Sequence, residues 1–211
     1  MPMRDRETDL RDWFDTQARL YRDRYLRTDE PLRQSGYSST PERWRLAREP
    51  ILAAVTSSGS FLDIGCANGM LLESLMAWGT ARGIEIEPHG IDLLPELINL
   101  ARRRLPGFAA NFDVANAFEW QPRRQYNYVH TLLEFVPEQY QRRYLVRLLN
   151  GAVARRGSLI VSSYGSRSRN QAPRDAAKFL DGLGFAVTGS TVGHDLDGAP
   201  ITRVAWIIAG S

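Results

Sequence analysis

Apolar residues change their spacing near residue 60. Before it, Leu10, Trp13, Phe14, Ala18, Tyr21 and Tyr25 recur near helical spacing with charges between them, which predicts a helix within residues 1–27. Pro31 ends or follows that helix, and the run RQSGYSSTPER (33–43) is rich in turn formers. Thr40 before Pro41 reads as a helix cap with proline at the first position. That helix would carry Trp44, Leu46 and Ala47 as far as Pro50, and a short helical run over 51–55 would lead to the turn Ser57-Ser58-Gly59-Ser60. Beyond it, short apolar runs alternate with helical patterns. Strands are expected at 61–64, ending near 92, within 108–114, and at 126–132, 158–163, 185–191 and 202–208. Helices are expected at 70–78, 93–104, about 138–154 and 174–183. The alternation predicts an α/β fold with a doubly wound, mostly parallel sheet. A turn containing Asp197-Gly198 is too short for a crossover helix, so the last two strands should run antiparallel.

Composition narrows the class without naming the chemistry. The 211 residues fit one domain with a small extension, and 43% hydrophobic with 24% charged residues is ordinary for a globular protein. Net charge is only +3, from 27 basic and 24 acidic residues, and the arginines are scattered among acids. A solvated surface explains them more simply than a nucleic-acid footprint. One cysteine excludes an internal disulfide and a cysteine-rich zinc site, and fits a reducing compartment. No run of 18 apolar residues and no secretory leader is visible, so a cytoplasmic protein without a membrane span is expected.

The most informative segment is Phe61-Leu-Asp-Ile-Gly-Cys-Ala-Asn-Gly-Met-Leu-Leu72. Gly65 and Gly69 bracket a tight passage from strand to helix, where backbone can approach a ligand and the helix start favours an anion. The pattern is not G-x-G-x-x-G, because residue 67 is alanine, and no G-K-[ST] follows to make a P-loop. Asp92 closes the next strand and could accept both hydroxyls of a ribose. Glu87 competes for that role, since strand ends are hard to place from sequence.

LDIGCANG (62–69), GIDLLPELINLARRRL (90–105) and VANAFEW (114–120) together resemble class I S-adenosylmethionine-dependent methyltransferases over about residues 50–210. The resemblance implies a seven-stranded Rossmann-like sheet with an antiparallel last strand, spanning 51–211 behind a helical lid or extension at 1–50. It implies S-adenosylmethionine as cofactor. Asp63, Gly65 and Gly69, with Cys66 and Ala67 between them, would frame the methionine part. Asp92 would take the ribose, Leu93 the adenine, Asn116 the adenine amine, and Ala117 and Phe118 the ring's side. Ala67 departs from the family's usual middle glycine.

Cofactor and acceptor should meet beyond the carboxyl ends of the parallel strands. His130 is the candidate general base there, since its free pKa lies near neutrality. Tyr37, Trp44, Thr131, Glu134 and Tyr164 are candidate pocket walls; core packing is the competing explanation for Trp44. The fourth strand lacks the Asn or Asp followed by Pro-Pro and an aromatic that many amide and adenine methyltransferases carry. No metal-ligand spacing joins His89, His130 and His194. The leading expectation is methyl transfer to oxygen or nitrogen of a small molecule. RNA methylation and a non-catalytic cofactor-binding protein are the alternatives.

Overall fold

The structure, a computed structural model, describes residues 3–167 and 169–210. Three helices lead: α1 (Met3–Tyr25), α2 (Pro31–Gln34) and α3 (Pro41–Arg48). The Thr40 side chain accepts the Arg43 backbone N–H at 3.3 Å, so α3 has the cap its sequence predicts. A 3-10 turn over Glu49–Ala54 leads into the sheet.

Seven strands follow: β1 (Gly59–Ile64), β2 (Ile86–Asp92), β3 (Phe112–Val114), β4 (Tyr126–Leu132), β5 (Val153–Tyr164), β6 (Gly189–His194) and β7 (Pro200–Ile208). Helices α4 (Met70–Thr80), α5 (Pro95–Arg104), α6 (Gln141–Gly151) and α7 (Ala176–Gly182) connect them. The strand order is β3-β2-β1-β4-β5-β7-β6, and β7 runs antiparallel to both its neighbours. From β1 the chain winds outward to β3, then returns to lay β4 against β1. The crevice beyond the carboxyl ends of β1 and β4 is therefore the topological switch point, where such sheets bind ligands.

Strand periodicity sorts the core into two layers. Leu62, Ile64, Val129, Leu159 and Val161 pack with Leu145 and Leu148 of α6, Leu180 of α7 and Phe14 of α1. Their neighbours Phe61, Tyr128 and Ile160 face the other way, onto Leu72 and Leu75 of α4, Ile98 of α5 and Trp44 of α3.

Several boundaries differ from expectation. The sixth strand lies at 189–194 instead of 185–191, because the hairpin turn is centred on 195–199, where Asp195 N–H donates to the Ala199 carbonyl. Its register then pairs Gly189 with Trp206. Pro95 makes α5 begin two residues late, which leaves Leu93 in the loop. The third strand shrinks to three residues because 106–111 form a 3-10 turn.

Candidate functional site

At the switch point lies a cavity of about 450 Å³. One wall is the loop leaving β1. Gly65 and Cys66 both donate backbone N–H groups to the Ile91 carbonyl, at 2.8 and 3.0 Å, tying the loop to β2. Gly65 takes φ +75°, and a side chain there would run into the Phe135 ring. Ala67 is also left-handed, at φ +48°. Its N–H donates to Asp92 Oδ2 at 2.9 Å, while Leu94 N–H donates to Oδ1 at 2.9 Å. These bonds hold the Asp92 carboxyl at the cavity wall. Burial raises its pKa to about 6, although the two backbone N–H groups pull it back.

Gly65, Cys66, Ala67, Asp63, Asp92, Leu93 and Ala117 all line the cavity. Gly69 does not. Its left-handed turn lets α4 pack against the Ala101 methyl of α5, so its expected contact with a ligand is replaced by helix packing. Burial also pushes the Cys66 thiol well up, which leaves it inert at neutral pH. Glu87 sits at the opposite end of β2, with its carboxylate on His89 at 2.9 Å and Arg124 at 3.4 Å. Asp92 is thus the acid the crevice receives.

Two further expectations near the ring pocket are corrected. Asn116 turns its side-chain oxygen inward to accept Phe118 N–H at 2.8 Å, and Phe118 stacks edge-on against Tyr140. Neither residue lines the cavity; Ala115 and Ala117 do.

His130 lines the cavity but is 2% exposed. Its Nδ1 lies 2.7 Å from Asp63 Oδ1 and its Nε2 lies 3.0 Å from Ser162 Oγ. Both ring nitrogens are thus engaged within the protein. The geometry makes His130 a brace between β1, β4 and β5. Ser162 is not a lining residue, so this Ser–His–Asp chain presents no nucleophile. Thr131 is corrected as well. The two-residue strand period sends it to the other face, where its hydroxyl lies 2.7 Å from that of Tyr144.

Glu134 follows β4 and lines the cavity without an ion pair or hydrogen bond among the described residues. Water reaches its carboxyl, yet the surrounding protein raises its pKa. Arg169, Arg48 and Arg24 draw it partly back.

The facing wall comes from the leading helices. Tyr37 and Trp44 meet edge-to-face at 5.4 Å, and the Trp44 indole N–H donates to Ser74 at 3.0 Å. Beside them stands a residue that pattern reading did not single out. Arg48 is 8% exposed, and its guanidinium lies 3.4 Å above the Tyr164 ring, 4.8 Å from Trp44 and 5.2 Å from Tyr37. No carboxylate meets it among the described residues. The buried hydroxyls of Tyr37 and Tyr164 also lack partners. A buried guanidinium without a counter-ion is costly unless a ligand supplies one.

Arg43, by contrast, grips Asp195 in the β6–β7 turn at 2.6–2.9 Å, and Arg167 meets the same carboxylate at 2.8 Å and also Asp197. Arg167 and Arg169 line the cavity, whereas Arg174 stacks on Phe179, away from it. The described residues contain no cluster of three or more metal-ligating side chains and no helix long and apolar enough to cross a membrane.

A sequence model of the methyltransferase domain matches residues 61–151. No curated protein matches the sequence. Among solved structures, the N-methyltransferase NodS from Bradyrhizobium japonicum WM9, in complex with S-adenosyl-L-homocysteine, is 16% identical with a TM-score of 0.68, over 92% of this chain and 98% of that one. A SAM-dependent methyltransferase from Aquifex aeolicus is 16% identical with a TM-score of 0.57, over 81% and 94%. A putative methyltransferase of Haloferax volcanii, in complex with the Trm112 activator, is 14% identical with a TM-score of 0.60, over 81% and 92%. The middle of the chain thus matches the methyltransferase domain, and the chain shares the fold of these solved structures.

Proposed function

We propose that this chain transfers the methyl group of S-adenosylmethionine to an oxygen or nitrogen of a small molecule held in the same cavity. The carrying observation is that Asp92 and the unpaired Arg48 share one cavity. Asp92 offers a carboxylate to the ribose hydroxyls, and Arg48, with Tyr37 and Tyr164, offers buried donors to the methionine carboxylate. Leu93, Ala115 and Ala117 supply the apolar sides of an adenine slot. The ligand's carboxylate thus meets the site's guanidinium, and its hydroxyls meet the site's carboxylate.

The cofactor, when bound, supplies an already activated methyl group. The protein's work is then to align the nucleophile and exclude water. The Tyr21 and Tyr25 rings of α1 and Tyr37 beyond it give the cavity an aromatic cover, so the leading helices act as its lid. At about 450 Å³ the cavity is at the small end of ligand pockets, roughly 300–1,000 Å³. Space shared with the cofactor limits the acceptor to a small molecule.

Calorimetry tests this reading. S-adenosylmethionine should bind the wild-type chain at micromolar-scale concentrations and NAD should not. Arg48→Met should weaken S-adenosylmethionine by ~10–100-fold, the loss of one or two hydrogen bonds to a charged group. Binding of NAD alone would sink the proposal. Unchanged cofactor affinity in R48M would remove Arg48 from the cofactor side.

A further inference from the structure

Among the described residues, one carboxylate of the cavity has neither a hydrogen bond nor an ion pair. Glu134 lies at the carboxyl end of β4 in the cavity wall, next to Phe135, whose ring rests on Gly65. Asp63 and Asp92, the other acids of the cavity, are committed to His130 and to the loop N–H groups. Building on the methyltransferase reading above, we propose that the acceptor is an amine and that Glu134 is the catalytic residue that takes its proton.

The surroundings of Glu134 suit that task from every side. From α1, the Tyr21 and Tyr25 rings stack at 5.5 Å, and their hydroxyls feel the charges of Glu134 and Asp92. Those aromatic faces suit an organic amine. Arg24 of α1, Arg48 of α3 and Arg169 of the segment after β5 also act on Glu134, and none of the three has an ion pair among the described residues. Their charges keep the carboxylate ionised, while the surrounding protein keeps it more basic than a free glutamate.

The same positive field acts on the acceptor. It disfavours an ammonium and favours the neutral amine, which is the nucleophilic form. The nitrogen lone pair then forms the bond to the methyl carbon, the electron pair of the broken S–C bond stays on sulfur, and the nitrogen's proton ends on Glu134. A phenolate or carboxylate at this place would meet Glu134 charge against charge.

The test uses the full chain saturated with S-adenosyl-L-homocysteine, with phenethylamine and phenethyl alcohol as probes. Phenethylamine should bind and the alcohol should bind at least tenfold more weakly. Titrations in buffers of different ionisation heat should show a proton released to the buffer, as the ammonium of solution is bound as the neutral amine. Glu134→Gln should keep its S-adenosyl-L-homocysteine affinity within threefold, which shows that the site still folds. It should weaken the amine about tenfold. With S-adenosylmethionine, methylation of phenethylamine should fall ~100-fold or more in E134Q, the usual scale for a general base. Preference for the alcohol, no amine binding, or an E134Q variant that methylates phenethylamine as fast as wild type would each overturn the proposal. Failure of wild type to bind the homocysteine product would instead strike the methyltransferase reading beneath it.

Discussion

Asp92→Asn separates what Asp92 does for the fold from what it does for a ligand. The carboxyl titrates near pH 6 in the fold, against an ordinary value of 3.8. A raised pKa means that the fold prefers the protonated form. Its contribution to stability is therefore fully present below about pH 4 and is lost as pH rises through about 6. The shift corresponds to about 3 kcal/mol at 1.36 kcal/mol per unit. Asp92 is partly open to water through the cavity, which reduces this to about 1.5–3 kcal/mol. Asparagine has no such titration. It also has only one oxygen for the N–H groups of Ala67 and Leu94, which costs about 1 kcal/mol at any pH.

Urea unfolding at pH 4 and pH 7 should then show wild type losing about 1.5–3 kcal/mol relative to D92N over that interval. Calorimetry at pH 7.5 should show S-adenosylmethionine bound ~10–100-fold more weakly by D92N, since a charged acceptor of the ribose hydroxyls is gone. Wild-type affinity should itself decline as pH drops through about 6. Unfolding profiles that run parallel from pH 4 to 7 would refute the burial argument. Undiminished affinity in D92N would refute the ribose assignment.

Two backbone substitutions probe the loop above it. Gly65→Ala adds a methyl at φ +75° against the Phe135 ring and should cost about 2 kcal/mol or more in a thermal melt, with loss of cofactor binding. Ala67→Gly removes the strain of a left-handed alanine at φ +48°, partly offset by a freer unfolded chain, and should raise stability by about 0.5–1 kcal/mol. A melt in which A67G unfolds at lower temperature than wild type would contradict this reading.

The sheet and the Gly65 loop were legible because their signals are local. Strand, left-handed turn and helix start fall within a dozen residues, and Asp92 closes the neighbouring strand. The pocket's other half was not legible. Arg48 is one of many arginines, and its burial is decided by Tyr164 of β5, distant in sequence. Nothing around residues 43–50 marks one arginine as paired and another as bare. His130 was found by residue type, but its partners Asp63 and Ser162 come from two other strands, so its engagement was invisible. Asn116 caps a local turn through its side-chain oxygen, which the sequence does not announce.

The helix that carries Trp44 and Arg48 is seated by the far end of the chain. Asp195 holds Arg43 across 152 positions, and the Thr202 hydroxyl donates to the Ala47 carbonyl at 2.7 Å across 155. Contacts of such long sequence separation form late in folding, after local ones. The Gly65–Asp92 side draws on neighbouring βα units, while the helix that carries Arg48 gains its last anchors when the final hairpin closes. A partly folded chain would hold a ribose cradle with nothing opposite it. Complete recognition of the ligand becomes a report that the final strands are home.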